Sequence, residues 1–542
     1  MDLSKIIPNM TQKVIRKDIR TLSNAELDKV VLAFYRIQSL HPTDPDSFFQ
    51  IAGYHGEPFR GAGYSSPYWW GGYCNHGNIL FPTWHRAYLH RLEQALQKQV
   101  PGVAMPYWNE IDEDTNKPGG GLPDVFLQPT WTFSDGTTVL VNGKETSTIE
   151  NPLHHYRFQK KIADRLQTIL DADYSKPAGL TTVRFPFSGL FGDKDISTTN
   201  NHNKTYEEKG LEVTNGMLNT NVQDWLNKSE YQPVPETQGE PTPDPLAAGA
   251  KERYLRCLDA PNYLVFSNTT SAERWNDDLP PGTELVVPIE SPHNKIHLAI
   301  GGIQIPTQNA DTIVGANGDM AENDTASFDP IFFFHHAFID RMFWAWQVRH
   351  KQTDILEMDP KYAHYPGTNS VDAQGPTPGV PGNTWLSLES PLDPFVGSDG
   401  KTVLTSRDVT NIATLNYDYD SIPTPPLRTA PPAPKPRLTI RGTNRAAIAG
   451  SFYIAAWLPD PKNPEIHYPI GSEAVLSRWH VSGCANCQNH LEVTAHLQLP
   501  EGWTDEEVER RGVKVKVHTR ADPGGSDVVN GRKLEFGVRH AT

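Results

Sequence analysis

The chain has 542 residues, 37% of them hydrophobic and 21% charged, with 13 Trp, 19 Tyr and 21 Phe. That is the composition of a folded protein with a substantial core, and the length predicts a large unit plus a smaller second domain. The formal charge of -15 repels phosphate backbones and anionic lipid, so nucleic acid and membrane surfaces are not expected partners. The first residues lack an apolar stretch followed by a small-residue cleavage site, and no later stretch is apolar enough to span a bilayer, which leads us to expect a soluble, cytoplasmic protein. The sequons at Asn268 and Asn323 are then read as chance occurrences. Four cysteines, Cys74, Cys257, Cys484 and Cys487, are too few for a disulfide framework in a chain this size.

In chain order, the first clear element is a helix opening at the capping-box pair Ser23 and Glu26, with Leu27, Val30, Val31, Phe34 and Ile37 on one face. From there to about residue 350, short amphipathic helical runs alternate with long Gly-, Pro-, Asn- and Asp-rich segments, so this part is expected to be mainly helical. Residues 421–437, SIPTPPLRTAPPAPKPR, form a proline-rich connector and the best domain boundary, dividing residues 1–420 from 438–542. Beyond it, Val513, Val515 and Val517 alternate with lysines, and Leu491, Val493, Ala495, Leu497 and Leu499 alternate with polar residues. A small antiparallel β domain follows from that period of two.

Two runs carry the chemistry: YHGEPF with YCNHGNILFPTWHRAY, and SPHNKIHLAIGG with FDPIFFFHHAFIDRMFWAWQ. Each holds three usable imidazoles. His293 and His297 are spaced i,i+4, which puts both rings on one helical face within reach of one metal. Of the adjacent pair His335 and His336, one helix is expected to offer only one to that metal, because neighbours point about 100° apart; we take His336. Asp340, one turn further on, is a candidate to orient an imidazole, with a structural role as the alternative. Neutral imidazoles without thiolate suit copper, though zinc, iron and nickel also accept nitrogen. Phe332 and Phe81, one turn before His336 and His85, would bring aromatic surface to each site or merely fill the core.

These two blocks resemble the CuA and CuB regions of type 3 copper proteins, the tyrosinases, catechol oxidases and hemocyanins. The arrangement from His55 to Tyr419 with its C-terminal extension is similar to ascomycete fungal tyrosinases in latent form. The resemblance implies a four-helix bundle with long loops holding two copper ions, CuA on His55, His76 and His85 and CuB on His293, His297 and His336, with O2 as co-substrate. It implies a thioether between Cys74 and His76, and a water held by Glu290 and Asn294 that accepts the phenol proton, a feature favouring tyrosinase over catechol oxidase. An inert thiol at Cys74, and a salt bridge and a helix cap at Glu290 and Asn294, are the plain alternatives.

Tyr417-Asp418-Tyr419 resembles the Tyr-x-Tyr motif closing the family's catalytic core, with Arg16 or Arg20 as its stacking partner. In fungal relatives the domain beyond it, β-sandwich-like here, covers the site. Cys484 and Cys487 in C-x-x-C spacing suit Cu(I) loading, with a redox disulfide or a zinc site as alternatives, and Val475 and Leu476 are candidates to plug the pocket. The expected function is O2-dependent conversion of monophenols and o-diphenols of the tyrosine or DOPA kind to o-quinones for melanin-type pigment, latent until the cover is displaced. An activating protease and a second copy of the chain are the other expected partners. A catechol oxidase, a hemocyanin-like O2 carrier and a dinuclear zinc hydrolase are the competing readings; the last would call for carboxylate ligands, which the set lacks.

Overall fold

The computed structural model describes residues 13–56, 72–112, 120–163, 175–192, 195–227, 249–280, 283–304, 313–357, 365–370, 380–381, 384–425, 436–460, 463–465, 467–479, 481, 491–499 and 502–539. Eight helices matter here: α1 (Asn24–Ser39), α2 (Phe48–Gly53), α3 (Phe81–Gln99), α4 (Leu211–Asn227), α5 (Ala250–Cys257), α6 (Thr269–Asp278), α7 (Glu290–Gly301) and α8 (Ile331–His350). α1 begins where the sequence places it: the Ser23 hydroxyl accepts from the Glu26 amide and the Glu26 carboxylate accepts from the Ser23 amide. Val30, Val31, Phe34 and Ile37 are buried on its inner face. A cap of that kind contributes about 1 kcal/mol, and the apolar face does the rest.

α7 and α8 form the centre. Every residue of α7 is buried, as is α8 from Ile331 to Phe343, the condition of helices enclosed on all sides rather than lying on a surface. α8 packs on α3, and α7 on α4 and α5. No helix among the described residues is long and apolar enough to cross a membrane.

The two ends of the helical unit are stitched together. Strand β1 (Val14–Arg16) pairs in parallel with β2 (Tyr417–Tyr419), and the Arg16 guanidinium lies 3.6 Å from the centre of the Tyr417 ring. Arg16 also binds Glu93 at 2.9 Å and Asp340 at 3.1 Å. Arg20, the other candidate partner of this motif, instead reaches backbone carbonyls of Asn109, Gly120 and Gly121. Of its two expected roles, Asp340 takes the structural one. Its carboxylate accepts from Arg86 at 2.5 Å and from the hydroxyls of Tyr417 and Tyr419 at 2.6 Å each, besides Arg16, and has no hydrogen bond to an imidazole among the described residues. Helical spacing put it near His336, but an aspartate is short, and the arginines on its own side of the helix capture it.

The C-terminal domain is built on two three-stranded antiparallel sheets, with a short two-stranded pairing of Val528–Val529 and Arg532–Lys533 beside them. β3 (Arg437–Asn444) lies between β6 (Glu492–Gln498) and β8 (Glu535–Arg539), and β4 (Phe452–Pro459) lies between β5 (His467–Val475) and β7 (Lys514–Thr519). Their inner faces share a core that includes Leu438, Ile440, Phe452, Ile454, Val493, Leu497, Val515 and Val517. The alternation legible in the sequence is the alternation of this sandwich. β3 starts at Arg437, where the connector was expected to end; residues 426–435 lie outside the described residues.

Candidate metal centre

His55 follows α2 directly, His76 sits in the loop before α3, and His85 is on α3. Their ring centroids are 5.3, 5.6 and 5.1 Å apart. His293 and His297 stand one turn apart on α7, 4.5 Å between rings, and His336 on α8 lies 4.8 Å from His293 and 5.7 Å from His297. The two triads face each other, with His85 stacked on His336 at 4.4 Å and His76 lying 5.8 Å from His293. Potential ligand atoms within each group all fall within 4.8 Å of one another.

Backbone geometry orients the rings. His55 Nδ1 donates to the Asn323 carbonyl at 3.0 Å, His85 Nδ1 to Phe81 at 2.8 Å and His297 Nδ1 to Met320 at 2.6 Å. A carbonyl only accepts, so each Nδ1 carries the proton and each Nε2 presents a lone pair. Those three Nε2 atoms are buried with no hydrogen-bond partner. Leaving three such acceptors dry is costly unless a cation meets them, and a held Nδ1–H with an open Nε2 is the usual state of a metal-bound histidine. Glycine makes the His297 contact attainable: a Cβ on Gly301 would fall 2.0 Å from the Ala321 nitrogen, so only a bare backbone lets the segment carrying Met320 lie against α7.

Burial, reinforced by neighbouring imidazoles, holds His55, His76, His293 and His336 well below the ordinary histidine pKa; burial likewise depresses His297, with His335 adding to it, and brings His85 to about 3. All six are neutral at physiological pH, as ligands must be. Phe332 stacks on His336 at 4.1 Å and Phe81 lies 4.8 Å from His85, so both phenylalanines line the centre as well as filling the core.

His335 departs from expectation. It joins His293, His297 and His336 in the second group, stacked on His293 at 5.1 Å, although one helix was expected to offer only one of its adjacent histidines. The cluster is wide enough to be met from both directions. Behind His335 stands Glu110, a residue sequence reading missed, 2.5 Å from its Nδ1. Burial drives the Glu110 carboxyl well above its usual range and His335 down to about 3, so the two share a proton without net charge.

Glu290 is buried, its carboxylate accepting from the Gly77 amide at 2.8 Å and from the Thr269 amide at 2.9 Å. Asn294 Oδ1 accepts from His293 Nδ1 at 3.0 Å, and its Nδ2 donates to the Ala474 carbonyl of the C-terminal domain at 3.3 Å. Cys74 and Cys257 are buried, unbridged thiols, and the Cys257 sulfur donates to the Tyr254 carbonyl. Of the plug candidates, Leu476 packs into the catalytic core together with Ala474, whereas Val475 packs into the core of its own domain. Val475 is therefore withdrawn, because successive strand residues face opposite ways. Cys484 and Cys487 lie outside the described residues.

Residues 45–349 match the family described as the common central domain of tyrosinase. The chain belongs to the tyrosinase family. This tyrosinase-family chain is 47% identical to a tyrosinase of Aspergillus oryzae over 96% of its own length and 95% of that protein's, and 42% identical to a tyrosinase of a Hahella species over 95% and 94%. Among solved structures, a Burkholderia thailandensis tyrosinase superposes with a TM-score of 0.77 at 40% identity, covering 97% of this chain and all of that one. An Aspergillus oryzae pro-tyrosinase shares the fold, C-terminal region included, at a TM-score of 0.58 and 18% identity over 98% of this chain and 94% of that one. Tyrosinases are type 3 dicopper oxidoreductases using O2, and two all-nitrogen groups with open Nε2 atoms fit that cofactor.

Proposed function

We propose that the chain is a latent tyrosinase, hydroxylating monophenols and oxidising o-diphenols to o-quinones for melanin-type pigment, with its C-terminal domain as the cover. The observation that carries this is the course of residues 472–478 across both histidine groups. The Ser472 hydroxyl accepts from Lys295 at 3.2 Å and the Ala474 carbonyl from Asn294, both on α7; Leu476 packs into the catalytic core; Arg478 donates to the His55 carbonyl at 3.3 Å. One segment of the small domain thus spans the second group and the first.

In this reading His55, His76 and His85 hold one copper and His293, His297 and His336 the other. When bound, the copper pair supplies the two electrons that reduce O2. The protein holds the imidazoles neutral, excludes bulk water and presents Glu290 and Asn294 beside His293. With the cover in place the Asn294 amide is engaged by Ala474; once the cover leaves, that N–H is free to fix the water that takes up the phenol proton. Leu476 leaves the pocket in the same movement. Cys74, two residues from His76, is set to form the thioether: its S–H and a ring C–H of His76 become an S–C bond, and the two hydrogens pass with two electrons to O2. Cys484 and Cys487 serve copper loading, and a protease cutting the linker is the activating partner.

The test loads the chain with copper, cuts within residues 421–437 and follows O2 uptake with a monophenol and then an o-diphenol. Low uptake before the cut and oxidation of both afterwards is the expected result. No oxidation of either sinks the enzyme reading, diphenol oxidation alone makes it a catechol oxidase, and full activity before the cut removes the latency.

A further inference from the structure

Arg478 places a guanidinium from the C-terminal domain inside the catalytic unit. It is 2% exposed, and its partners all belong to the other domain: the Asp324 carboxylate, the Cys74 sulfur at 3.1 Å and the backbone carbonyl of His55 at 3.3 Å. Asp324 is itself 4% exposed. Its neighbour Asn323 accepts from His55 Nδ1 through its carbonyl and approaches Cys74 with its side-chain amide at 3.7 Å. Asn323, Asp324 and Arg478 therefore bracket His55, the first residue of the first histidine group, and Cys74, two residues before His76. Other arginines spanning the domains bind elsewhere: Arg437 reaches carbonyls of Asn276 and Leu279, Arg441 pairs with Asp277, Arg253 with Glu473 and Arg520 with Glu322. Of these interdomain arginines, Arg478 is the one that bonds to Cys74 and to the His55 carbonyl.

A buried guanidinium is costly to leave unpaired, and the two terminal nitrogens of Arg478, meeting three acceptors, fix all three relative to one another. We infer that Arg478 is a positioning and guard residue: while the C-terminal domain is docked, it holds the Cys74 sulfur and the His55 backbone in the geometry of the first group and keeps reagents from the thiol. The cover then has a second task besides blocking phenols. It shields a buried thiol beside an oxidising centre until that centre is complete, so completion precedes removal, and a cover lost early leaves Cys74 open to solvent and oxidation. The inference rests on the C-terminal domain acting as a cover, but its test involves no phenol oxidation, so the two can fail separately.

The test uses the full chain purified without copper, alkylated under native conditions with N-ethylmaleimide, with the rate at each cysteine read by peptide mass spectrometry. Arg478→Gln is expected to raise the rate at Cys74 by roughly tenfold or more, the equivalent of one charge-assisted hydrogen bond in the closed state, while the rate at Cys257, a buried thiol bonded to the Tyr254 carbonyl and not to Arg478, stays put. Arg437→Gln, which weakens the same interface at a distance, is expected to leave Cys74 slow. Arg478→Lys keeps a charge opposite Asp324 without spanning three partners and should fall between; if the Gln variant does not fold, the Lys variant against the parent decides. An unchanged Cys74 rate, an equal rise with Arg437→Gln, or a parallel rise at Cys257 each overturns the inference.

Discussion

Replacing Asp340 by Ala separates a structural network from a metal-orienting role. The carboxylate holds two buried guanidinium groups, Arg86 at 2.5 Å and Arg16 at 3.1 Å, and two buried phenols, those of Tyr417 and Tyr419, at 2.6 Å. Removing one side of a buried ionic cluster typically costs about 3–5 kcal/mol, a large share of a net stability of about 5–15 kcal/mol. Asp340→Ala should lose that much and Asp340→Asn less, because an amide oxygen still accepts. Urea unfolding followed by tryptophan fluorescence measures the loss, and copper per folded chain is measured alongside. Burial alone would raise the Asp340 pKa, but Arg86, then Arg16, and the two phenols outweigh it and hold it below the ordinary aspartate value. A depressed carboxyl stabilises the fold above its unfolded pKa of about 3.9 and loses that contribution as pH falls through the lower folded value. Parent and Asp340→Asn should therefore differ at neutral pH and converge in strong acid. If instead stability is untouched while copper affinity falls ten- to a hundredfold, the size of an effect on an orienting partner, the assignment of Asp340 to the structural role is wrong.

Three further outcomes are expected. His297→Ala removes the imidazole held by the Met320 carbonyl and should abolish both phenol activities with loss of copper from the second group, measured by metal analysis. Glu290→Gln should lower monophenol turnover by about a hundredfold, the scale of general-base catalysis, and diphenol turnover far less; equal losses, or lost copper, would mean its bonds to Gly77 and Thr269 are its whole role. Leu476→Ala should raise diphenol oxidation by the uncut, copper-loaded chain, whereas Val475→Ala should leave latency intact and cost the C-terminal domain about 2 kcal/mol of stability.

The helical unit, its cap at Ser23 and the alternation in the C-terminal strands were legible because each is a local pattern. The six histidines were legible because the two runs carry the resemblance to type 3 copper proteins. What stayed hidden depends on groups distant in the chain. Glu110 meets His335 across 225 residues and Arg478 meets Cys74 across 404, and no periodicity links such pairs. The two roles of Asp340 could not be ranked because helical spacing gives direction but not reach, and Arg86 on another helix is invisible in one dimension. Val475 and Leu476 could not be ranked until the strand's facing was known, although the alternation that ranks them is itself a sequence pattern.

The contacts that hold the cover also say how it comes off. Beside the apolar packing of Tyr453, Trp457, Ala474 and Leu476 against the catalytic core, they include three ion pairs: Arg253 with Glu473, Arg441 with Asp277, Arg478 with Asp324. Ion pairs at an interface fix register and penalise mispairing, but their net stabilisation is small once desolvation is counted. The proline-rich linker adds to that hold, because a covalent connection keeps the domain's effective concentration at the interface high. Cutting the linker removes that advantage without altering one contact. The outer pair is the lever on what remains: Arg441 and Asp277 have side chains 40% and 23% exposed and so feel salt, whereas Arg478 and Asp324, at 3% and 6%, scarcely do. Raising salt after the cut should therefore speed loss of the C-terminal fragment on size exclusion and bring up diphenol oxidation in step, while the same salt leaves the uncut chain latent. Release of activity by salt in the uncut chain would place the hold in the contacts and not in the tether.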